Sequence, residues 1–362
     1  MKKAIFTFLF LGLGFFVRAQ DNYYNEIIEK VTDNKLVHGT SFMIQSGDKE
    51  WKGSTGNLNN ESQFFIASTT KLYVTVVVMQ LRVEGKLQLD DKIDLYLDPE
   101  TMKNLHVIAG KDYSNEITIK QLLSQTSGLP DYFQGKKANG KSIRQELSAG
   151  IDQSWTFEDA IAISKTMKPK FAPGAAGKAY YSDTNYQLLG RIIENITKST
   201  FADQVQERIC KPLQLTKTYL YVDPTDTKPS NIYYKKNALS IPKSMASVKA
   251  DGGIVSTSAE LMEFLIAFME GDLFPVEFLI EMKAWNKIFY PLQYGVGVSR
   301  FKLGKFATFG KDIPELIGHS GLSGAVAFYC PEKNLYIVGT VNQIHKPSTS
   351  YKVLVKMLMA TK

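Results

Sequence analysis

The chain has 362 residues, of which 44% are hydrophobic and 22% charged, a composition that excludes a disordered chain. This length predicts one large domain or two closely packed ones. The formal net charge of +7 is spread along the sequence, so no basic patch indicates a nucleic-acid partner.

The N-terminus has the pattern of an export signal. Lys2 and Lys3 precede an apolar stretch over 4–17, which Arg18 and Ala19 follow. That stretch is too short to span a bilayer comfortably, so we predict a cleavable signal peptide over 1–19. A retained N-terminal anchor is the alternative. We expect a periplasmic or secreted protein without a transmembrane anchor after cleavage.

Hydrophobic periodicity predicts strands at both ends of the chain and helices between them. An amphipathic helix over 21–34 precedes a β-hairpin, 37–45 with 50–55. Helices are predicted at 68–84, 118–126, 156–167, 185–196, 200–209 and 348–359, and strands at 295–303, 317–319, 324–330 and 335–341. One sheet should therefore combine 20–86 with 248–362, with a mostly helical region at 87–247 inserted between them.

The first candidate site is the run Ser68-Thr69-Thr70-Lys71 at the start of a long apolar helix. On a helix, residues three apart lie on one face, one turn from each other. A serine becomes a good nucleophile when a base takes its proton, and a lysine held neutral by burial is such a base. The alternative is a helix that simply begins with a capping hydroxyl residue.

The pattern Ser-x-x-Lys is not unique to this position, since it also begins at Ser46, Ser240 and Ser299. Those copies lie beside Gly, Pro or alternating residues, which indicate turns or strands. Only Ser68 precedes a dozen residues without Gly or Pro. This context favours Ser68 as the nucleophile.

Two further patches contain groups that could act in a cleft. Tyr181-Ser182-Asp183 follows a glycine-bearing loop and opens a helix, and a tyrosine there could transfer protons if ammonium groups favoured its phenolate. A core tyrosine is the alternative. His319-Ser320-Gly321 precedes a predicted strand, although a single histidine is more often structural. The nearby near-matches to Gly-x-Ser-x-Gly, the nucleophile elbow of α/β-hydrolases, lack the last glycine and the following helix, so this rival interpretation fails on context.

In this order, the three motifs resemble those of the serine β-lactamase and penicillin-binding-protein superfamily. The resemblance is closest to its class C-like branch, which includes D,D-carboxypeptidases, esterases and β-lactamases. Companion segments at 122–130, 251–257 and 294–297 agree, and the resemblance runs from about residue 36 to the C-terminus. It implies an α/β fold of the α+β type, in which helices flank a mainly antiparallel sheet and a helical subdomain is inserted, together one catalytic domain.

The resemblance also implies catalytic roles. Ser68 would be acylated, Lys71 would help to deprotonate it, and Tyr181 would relay protons to the leaving group and from water. The backbone N–H groups of Ser68 and Leu322 would bind the oxyanion, where loss of one donor typically costs ~3 kcal/mol.

Substrate contacts are assigned by the same resemblance to Asp183, His319 and Gly321. The second motif often ends in Asn, whereas an ionised Asp183 only accepts hydrogen bonds. The third motif often begins with Lys, whereas His319 is mostly neutral near pH 7. Both departures weaken the case for an efficient β-lactamase. Gln125 replaces a frequent histidine, for which the sequence offers no functional explanation.

We therefore expect an exported serine acyl hydrolase of D,D-peptidase or esterase type, working through an acyl-enzyme on Ser68. A β-lactamase and a penicillin-binding covalent sensor are the alternatives. The substrate would be an acyl ester, a D-amino-acid peptide or a β-lactam, bound by a monomer. No metal-ligand spacing or phosphate-binding glycine loop is present, so no cofactor is expected. Cys210 and Cys330 are expected to be separate buried thiols.

Overall fold

The computed structural model describes residues 20–32, 36–304 and 313–361, so the predicted signal peptide lies outside the described residues. Residues 20–32 form helix α1. The strands are β1 (Gly39–Ser46), β2 (Lys49–Gly56), β3 (Phe64–Phe65), β4 (Val107–Ile108), β5 (Lys111–Asp112), β6 (Tyr219–Leu220), β7 (Tyr233–Tyr234), β8 (Asn237–Ala238), β9 (Ile254–Ser256), β10 (Asn286–Phe289), β11 (Leu292–Tyr294), β12 (Ser299–Phe301), β13 (Leu316–Ser320), β14 (Ala325–Cys330) and β15 (Leu335–Thr340). The further helices are α2 (Thr70–Val83), α3 (Pro99–Met102), α4 (Ile119–Leu123), α5 (Ile143–Ser148), α6 (Phe157–Lys165), α7 (Asp183–Thr197), α8 (Phe201–Val205), α9 (Pro242–Gly252), α10 (Ser258–Glu270), α11 (Phe278–Met282) and α12 (Ser348–Ala360).

An antiparallel sheet joins the two ends of the chain, as the sequence predicts. Its strand order is β10-β11-β12-β13-β14-β15-β1-β2. Strand β1 pairs with β2 in the predicted hairpin and with β15 on its other side, where Ser41 lies opposite Thr340. The fold class expected from the sequence is therefore confirmed.

Helices cover both faces of this sheet. Strand β1 is buried on both faces, and its side chains alternate between two cores. Phe42 and Ile44 pack in the core that contains residues of α1 and α12. Met43 packs in the larger core with α2 and α10. Helix α2 is buried on nearly all sides, which explains why its sequence shows no polar face.

A small sheet, β3-β9-β6, lies next to the start of α2. The sequence analysis did not predict it, because strands of two or three residues are too short to show a period. Phe64 pairs with Ser256 and Phe65 with Val255. Strand β9 therefore lies beside the segment that leads into the Ser68 motif.

Several predicted boundaries were wrong. The strand predicted over 295–303 is only Ser299–Phe301, because a turn with Gly297 at φ +76° separates it from β11. The helix predicted over 118–126 ends at Leu123, and Gln125 adopts φ +62°. The helix predicted over 200–209 is α-helical over Phe201–Val205 and continues as a π-helical turn, Gln206–Cys210.

Cys210 and Cys330 are both buried and unbonded, as predicted. Within the described ranges, no helix has the length and apolarity needed to cross a membrane. In the same ranges, no group of three His, Cys, Asp or Glu side chains has the geometry to hold a metal ion.

Candidate active site

Ser68 lies in a single 3-10 turn, Ala67–Thr69, that leads directly into α2. The turn is bound to β9, because Ile66 N–H donates to the Ile254 carbonyl at 2.9 Å and Ile254 N–H donates to Thr70 Oγ1 at 3.1 Å. Ala67 has φ +46°, a conformation that favours glycine and is maintained only where surrounding contacts impose it. Ser68 is half-buried and lines a cavity of about 580 Å³.

Lys71 lies one turn after Ser68 and is completely buried. Its Nζ donates to Asp183 Oδ1 at 2.7 Å and to the Asp251 carbonyl at 2.6 Å. Burial by itself lowers the pKa of Lys71, but Asp183, Tyr181 and Asp251 outweigh burial and raise that pKa above its ordinary value. The resting lysine is therefore an ammonium, so the expectation that burial alone keeps it neutral was wrong.

The resemblance implied that Asp183 contacts the substrate, but its side chain does not line the cavity. It begins α7, its side chain is 8% exposed, and its carboxylate pairs with the Lys71 ammonium. Burying an ammonium is costly unless a counterion lies beside it, and Asp183 supplies that charge. The structure thus places Asp183 behind the Ser68–Lys71 pair and not among the groups that face a substrate.

Tyr181 lies at the cavity wall, with its ring centroid 5.2 Å from Lys71 Nζ. Burial raises the pKa of Tyr181, and although Lys71 and a hydrogen bond with Ser68 act in the opposite direction, the net change is upward. The resting phenol is therefore protonated, with the ammonium and the Ser68 hydroxyl as its neighbours.

Gln125 holds the segment that carries Tyr181. The Gln125 carbonyl accepts from Tyr180 N–H at 2.9 Å, and its Oε1 accepts from Ser182 N–H at 2.8 Å. The same Oε1 accepts from Asn185 Nδ2 at 2.6 Å. Gln125 therefore fixes the residues on both sides of Tyr181. The companion segment at 122–130 was the sequence signal for this role, although the sequence alone gave no reason for a glutamine there.

His319 lies at the cavity on β13, where its ring bonds to a tyrosine other than Tyr181. Its Nε2 hydrogen-bonds with the Tyr294 hydroxyl at 3.0 Å, while the ring centroids of His319 and Tyr181 are 6.3 Å apart. Burial, followed by the Lys71 charge, lowers the pKa of His319 to about 3. The imidazole is therefore neutral and supplies no positive charge to a substrate.

Gly321 and Leu322 bring the end of β13 against the Ser68 turn. A Cβ atom on Gly321 would lie 2.2 Å from the Ile66 carbonyl oxygen, so only glycine permits this approach. The following turn is anchored by Ser323 Oγ, which donates to the Phe65 carbonyl at 2.6 Å. Leu322 lines the cavity, and among the described residues no acceptor bonds its backbone N–H. The role of this N–H as an oxyanion donor stays a prediction.

Asp131 is a buried carboxyl group in the cavity lining that the sequence analysis did not single out. Its Oδ1 accepts from the N–H groups of Phe133 at 2.9 Å and Gln134 at 3.2 Å, and within the described part of the chain its Oδ2 has no hydrogen-bond partner. Burial, then the charge of Asp183, raises the pKa of Asp131 to about 7. Its charge therefore changes near neutral pH.

The sheet, the inserted helices and the Ser68–Lys71–Tyr181 cluster together define a serine hydrolase with the β-lactamase/transpeptidase fold. The family model described as Beta-lactamase matches residues 25–354. The chain belongs to this family.

Individual relatives are similar over most of the chain. A putative D-alanyl-D-alanine carboxypeptidase of Escherichia coli (strain K12) is 26% identical over 331 residues, which cover 82% of this chain and 71% of the relative. A D-stereospecific amidohydrolase from Streptomyces sp. has a TM-score of 0.75 at 25% identity, covering 91% of this chain and 97% of that one. A D-amino acid amidase from Ochrobactrum anthropi SV3 has a TM-score of 0.76 at 21% identity, covering 93% and 99%.

Proposed function

We propose that this protein is an exported serine acyl hydrolase that works through an acyl-enzyme on Ser68. The observation that carries the proposal is the position of Ser68 at the catalytic cavity, with the ammonium of Lys71 one turn away and the phenol of Tyr181 beside both. These three side chains supply a nucleophile and two groups that exchange protons with it.

In acylation, the substrate carbonyl oxygen lies between the backbone N–H groups of Ser68 and Leu322. Ser68 Oγ attacks the carbonyl carbon, and its proton passes to Lys71 in the neutral form of the amine. Tyr181 then relays a proton to the departing amine or alcohol as the scissile bond breaks. In deacylation, water attacks the ester carbonyl carbon and gives a proton to the same pair. The pair then returns a proton to Ser68 Oγ as the bond between the acyl carbon and Oγ breaks, which releases the acid and free Ser68.

Because Asp183 raises the pKa of Lys71, only a small fraction of the amine is neutral at pH 7. We therefore expect the acylation rate to increase with pH into the alkaline range. The rate reflects the whole Lys71–Tyr181–Asp183 cluster, since closely interacting groups titrate as a unit.

The substrate type that we propose is a D-amino-acid peptide or amide, or a short acyl ester. The printed names of the Escherichia coli and Streptomyces relatives, a carboxypeptidase and a D-stereospecific amidohydrolase, support the first of these. The neutral His319 supplies no charge for a β-lactam carboxylate, which makes efficient β-lactam hydrolysis the weaker candidate. We further propose export to the periplasm or medium, which N-terminal sequencing of the mature protein would test by finding residue 20 first.

The test of the acyl-enzyme is burst kinetics with 4-nitrophenyl acetate and intact-protein mass spectrometry. We expect a burst equal to the enzyme concentration, then steady turnover, and an acetyl adduct on Ser68. Ser68→Ala and Lys71→Ala should abolish the burst, whereas Ser240→Ala, in another Ser-x-x-Lys copy, should not change it. A burst without turnover would identify a covalent binding protein instead. Absence of any adduct on Ser68 would contradict the proposal.

A further inference from the structure

The catalytic cavity has almost no positive charge at the end where the reaction would occur. The Lys71 ammonium is buried and already bonded to Asp183 and to the Asp251 carbonyl. His319, which lines the same cavity, is neutral. Among the described residues, a substrate with a negative group would therefore find no available cation beside Ser68.

Arg144 supplies such a cation elsewhere in the lining. It is half-buried on α5, and its Nη1 donates to Gln134 Oε1 at 2.9 Å. Across the described ranges, no carboxylate forms an ion pair with its guanidinium, although most other arginines are paired. A guanidinium has five N–H donors in a planar fork that matches a carboxylate, and among the described residues Gln134 is the side-chain acceptor for one of them.

Arg144 also lies between two cavities. Together with Gln134 it lines both the catalytic cavity and a second cavity of about 510 Å³. The described lining of this second cavity is polar and includes Lys136, Ser142 and His345 but no acidic side chain. An anion would therefore meet hydrogen-bond donors and no carboxylate on entering it.

A different part of the catalytic cavity is apolar. Ile288 and Leu292, from β10 and β11, line it together with Pro347 and Tyr351 near the start of α12. A site with apolar groups and one guanidinium favours an amphipathic ligand in a single orientation. The same lining contains the Asp131 carboxyl, which is only 1% exposed, whereas the half-buried Arg144 presents an unpaired guanidinium to a ligand.

We propose that Arg144 is the centre of an anion subsite, shared by the two cavities, that binds a carboxylate carried by the substrate. This inference rests on the proposed hydrolase function and specifies its substrate class, a carboxylate-bearing acyl compound. The carboxylate could belong to the acyl part or to the leaving part, and these two sources are separated by the choice of test substrate.

Two pairs of esters, whose members differ by one negative charge, test which part of the substrate carries the carboxylate. Mono-4-nitrophenyl adipate and its methyl ester differ by one charge in the acyl part, and 4-carboxyphenyl butyrate and its methyl ester differ by one charge in the leaving part. With Arg144→Gln, we expect kcat/KM for one of the two anionic esters to fall about tenfold or more, mainly through KM, and its neutral partner to change by less than about twofold. Arg144→Lys, which keeps the charge but not the fork, should retain part of the preference.

A binding measurement tests the anion subsite without requiring turnover. In the Ser68→Ala background, calorimetric titration with adipate should give a Kd about tenfold weaker when Arg144→Gln is added. Two results would overturn the anion subsite. One is an equal loss of kcat/KM for the charged and the neutral esters in Arg144→Gln. The other is an unchanged kcat/KM for both anionic esters together with unchanged adipate binding. If the burst experiment fails but adipate still binds in a way that depends on Arg144, only the hydrolase proposal is overturned.

Discussion

The Lys71 ammonium lies 2.7 Å from the Asp183 carboxylate, and both groups are buried beneath the cavity that contains Ser68. This contact joins the first and second motifs into one charged pair. It also determines the protonation state of the base, because burial favours a neutral amine and the carboxylate favours an ammonium.

The first prediction concerns the pH dependence set by this pair. In Asp183→Asn, the carboxylate that raises the pKa of Lys71 is lost and burial remains, so that pKa falls. A larger neutral fraction then exists at each pH, and we expect the pH profile of the acylation rate, measured by stopped flow, to move to lower pH. The exposed Asp90→Asn is the control, and an unchanged profile in Asp183→Asn would exclude Lys71 as the base.

The same substitution should reduce stability at neutral and acidic pH. A lysine whose pKa is raised in the folded state stabilises the fold below its ordinary pKa, and that contribution disappears as pH rises through the folded value. Breaking a buried pair by removing one partner typically costs about 3–5 kcal/mol. Urea unfolding at pH 6 and at pH 9 should both show a loss of this order, because the contribution of the pair decreases only above the ordinary lysine pKa of 10.5.

The second prediction concerns Gln125. Gln125→Ala removes the acceptor of Ser182 N–H and Asn185 Nδ2, both of which are buried, and an unsatisfied buried donor costs about 1–3 kcal/mol. We expect a lower Tm and, because Tyr181 loses its support, a decrease in kcat that exceeds any change in KM. The exposed Gln88→Ala serves as the control. A lower Tm with kcat unchanged would limit Gln125 to a structural role.

The third prediction tests the close contact at Gly321. A methyl group there would lie 2.2 Å from the Ile66 carbonyl oxygen, so the end of β13 or the Ser68 turn must move. A displacement of about 1 Å in a catalytic group can cost about 100-fold in rate. Gly321→Ala should therefore reduce acylation strongly. Gly304→Ala, whose added Cβ would lie 3.9 Å from the Tyr290 hydroxyl, the nearest atom among the described residues, should leave the rate unchanged. If Gly321→Ala acylates at the wild-type rate, the end of β13 and the Ser68 turn can move apart without affecting acylation.

The fourth prediction concerns Asp131. Burial and the nearby Asp183 raise its pKa from 3.8 to about 7. The folded state thus binds a proton more tightly than the unfolded state, so this group stabilises the fold at low pH, and its contribution is lost as pH rises from 3.8 to about 7. Each pKa unit corresponds to about 1.4 kcal/mol.

Asp131→Asn removes this titration and keeps the acceptor for Phe133 and Gln134 N–H. Between pH 5 and pH 8, the Tm of the wild type should fall further than that of Asp131→Asn, whereas Asp90→Asn should follow the wild type. The measurement is differential scanning fluorimetry in buffers of constant ionic strength. Parallel curves for the wild type and Asp131→Asn would contradict a raised pKa at this carboxyl group.

The sequence by itself determined the features that depend on local order. The alternation of residues predicted the β1–β2 hairpin, and the apolar run after Ser68 predicted a buried helix with Lys71 one turn on. The strands at both chain ends predicted the joined sheet, and the ordered motifs predicted the fold class. These inferences succeed because helix and strand periods place neighbours in the sequence at fixed directions.

Only the tertiary structure decided how distant groups meet. Lys71 contacts Asp183, which lies 112 residues away in the sequence, and the Asp251 carbonyl, which lies 180 residues away. These contacts keep the lysine an ammonium. Likewise, Gln125 reaches Ser182 across 57 residues, and Arg144 lies between two cavities without an acidic partner in the described chain. Sequence periodicity carries no information about such pairs, because burial and charge at each atom depend on which elements pack together. The motifs therefore identified the reacting groups, while the packing of α2, α7 and α9 set their charges.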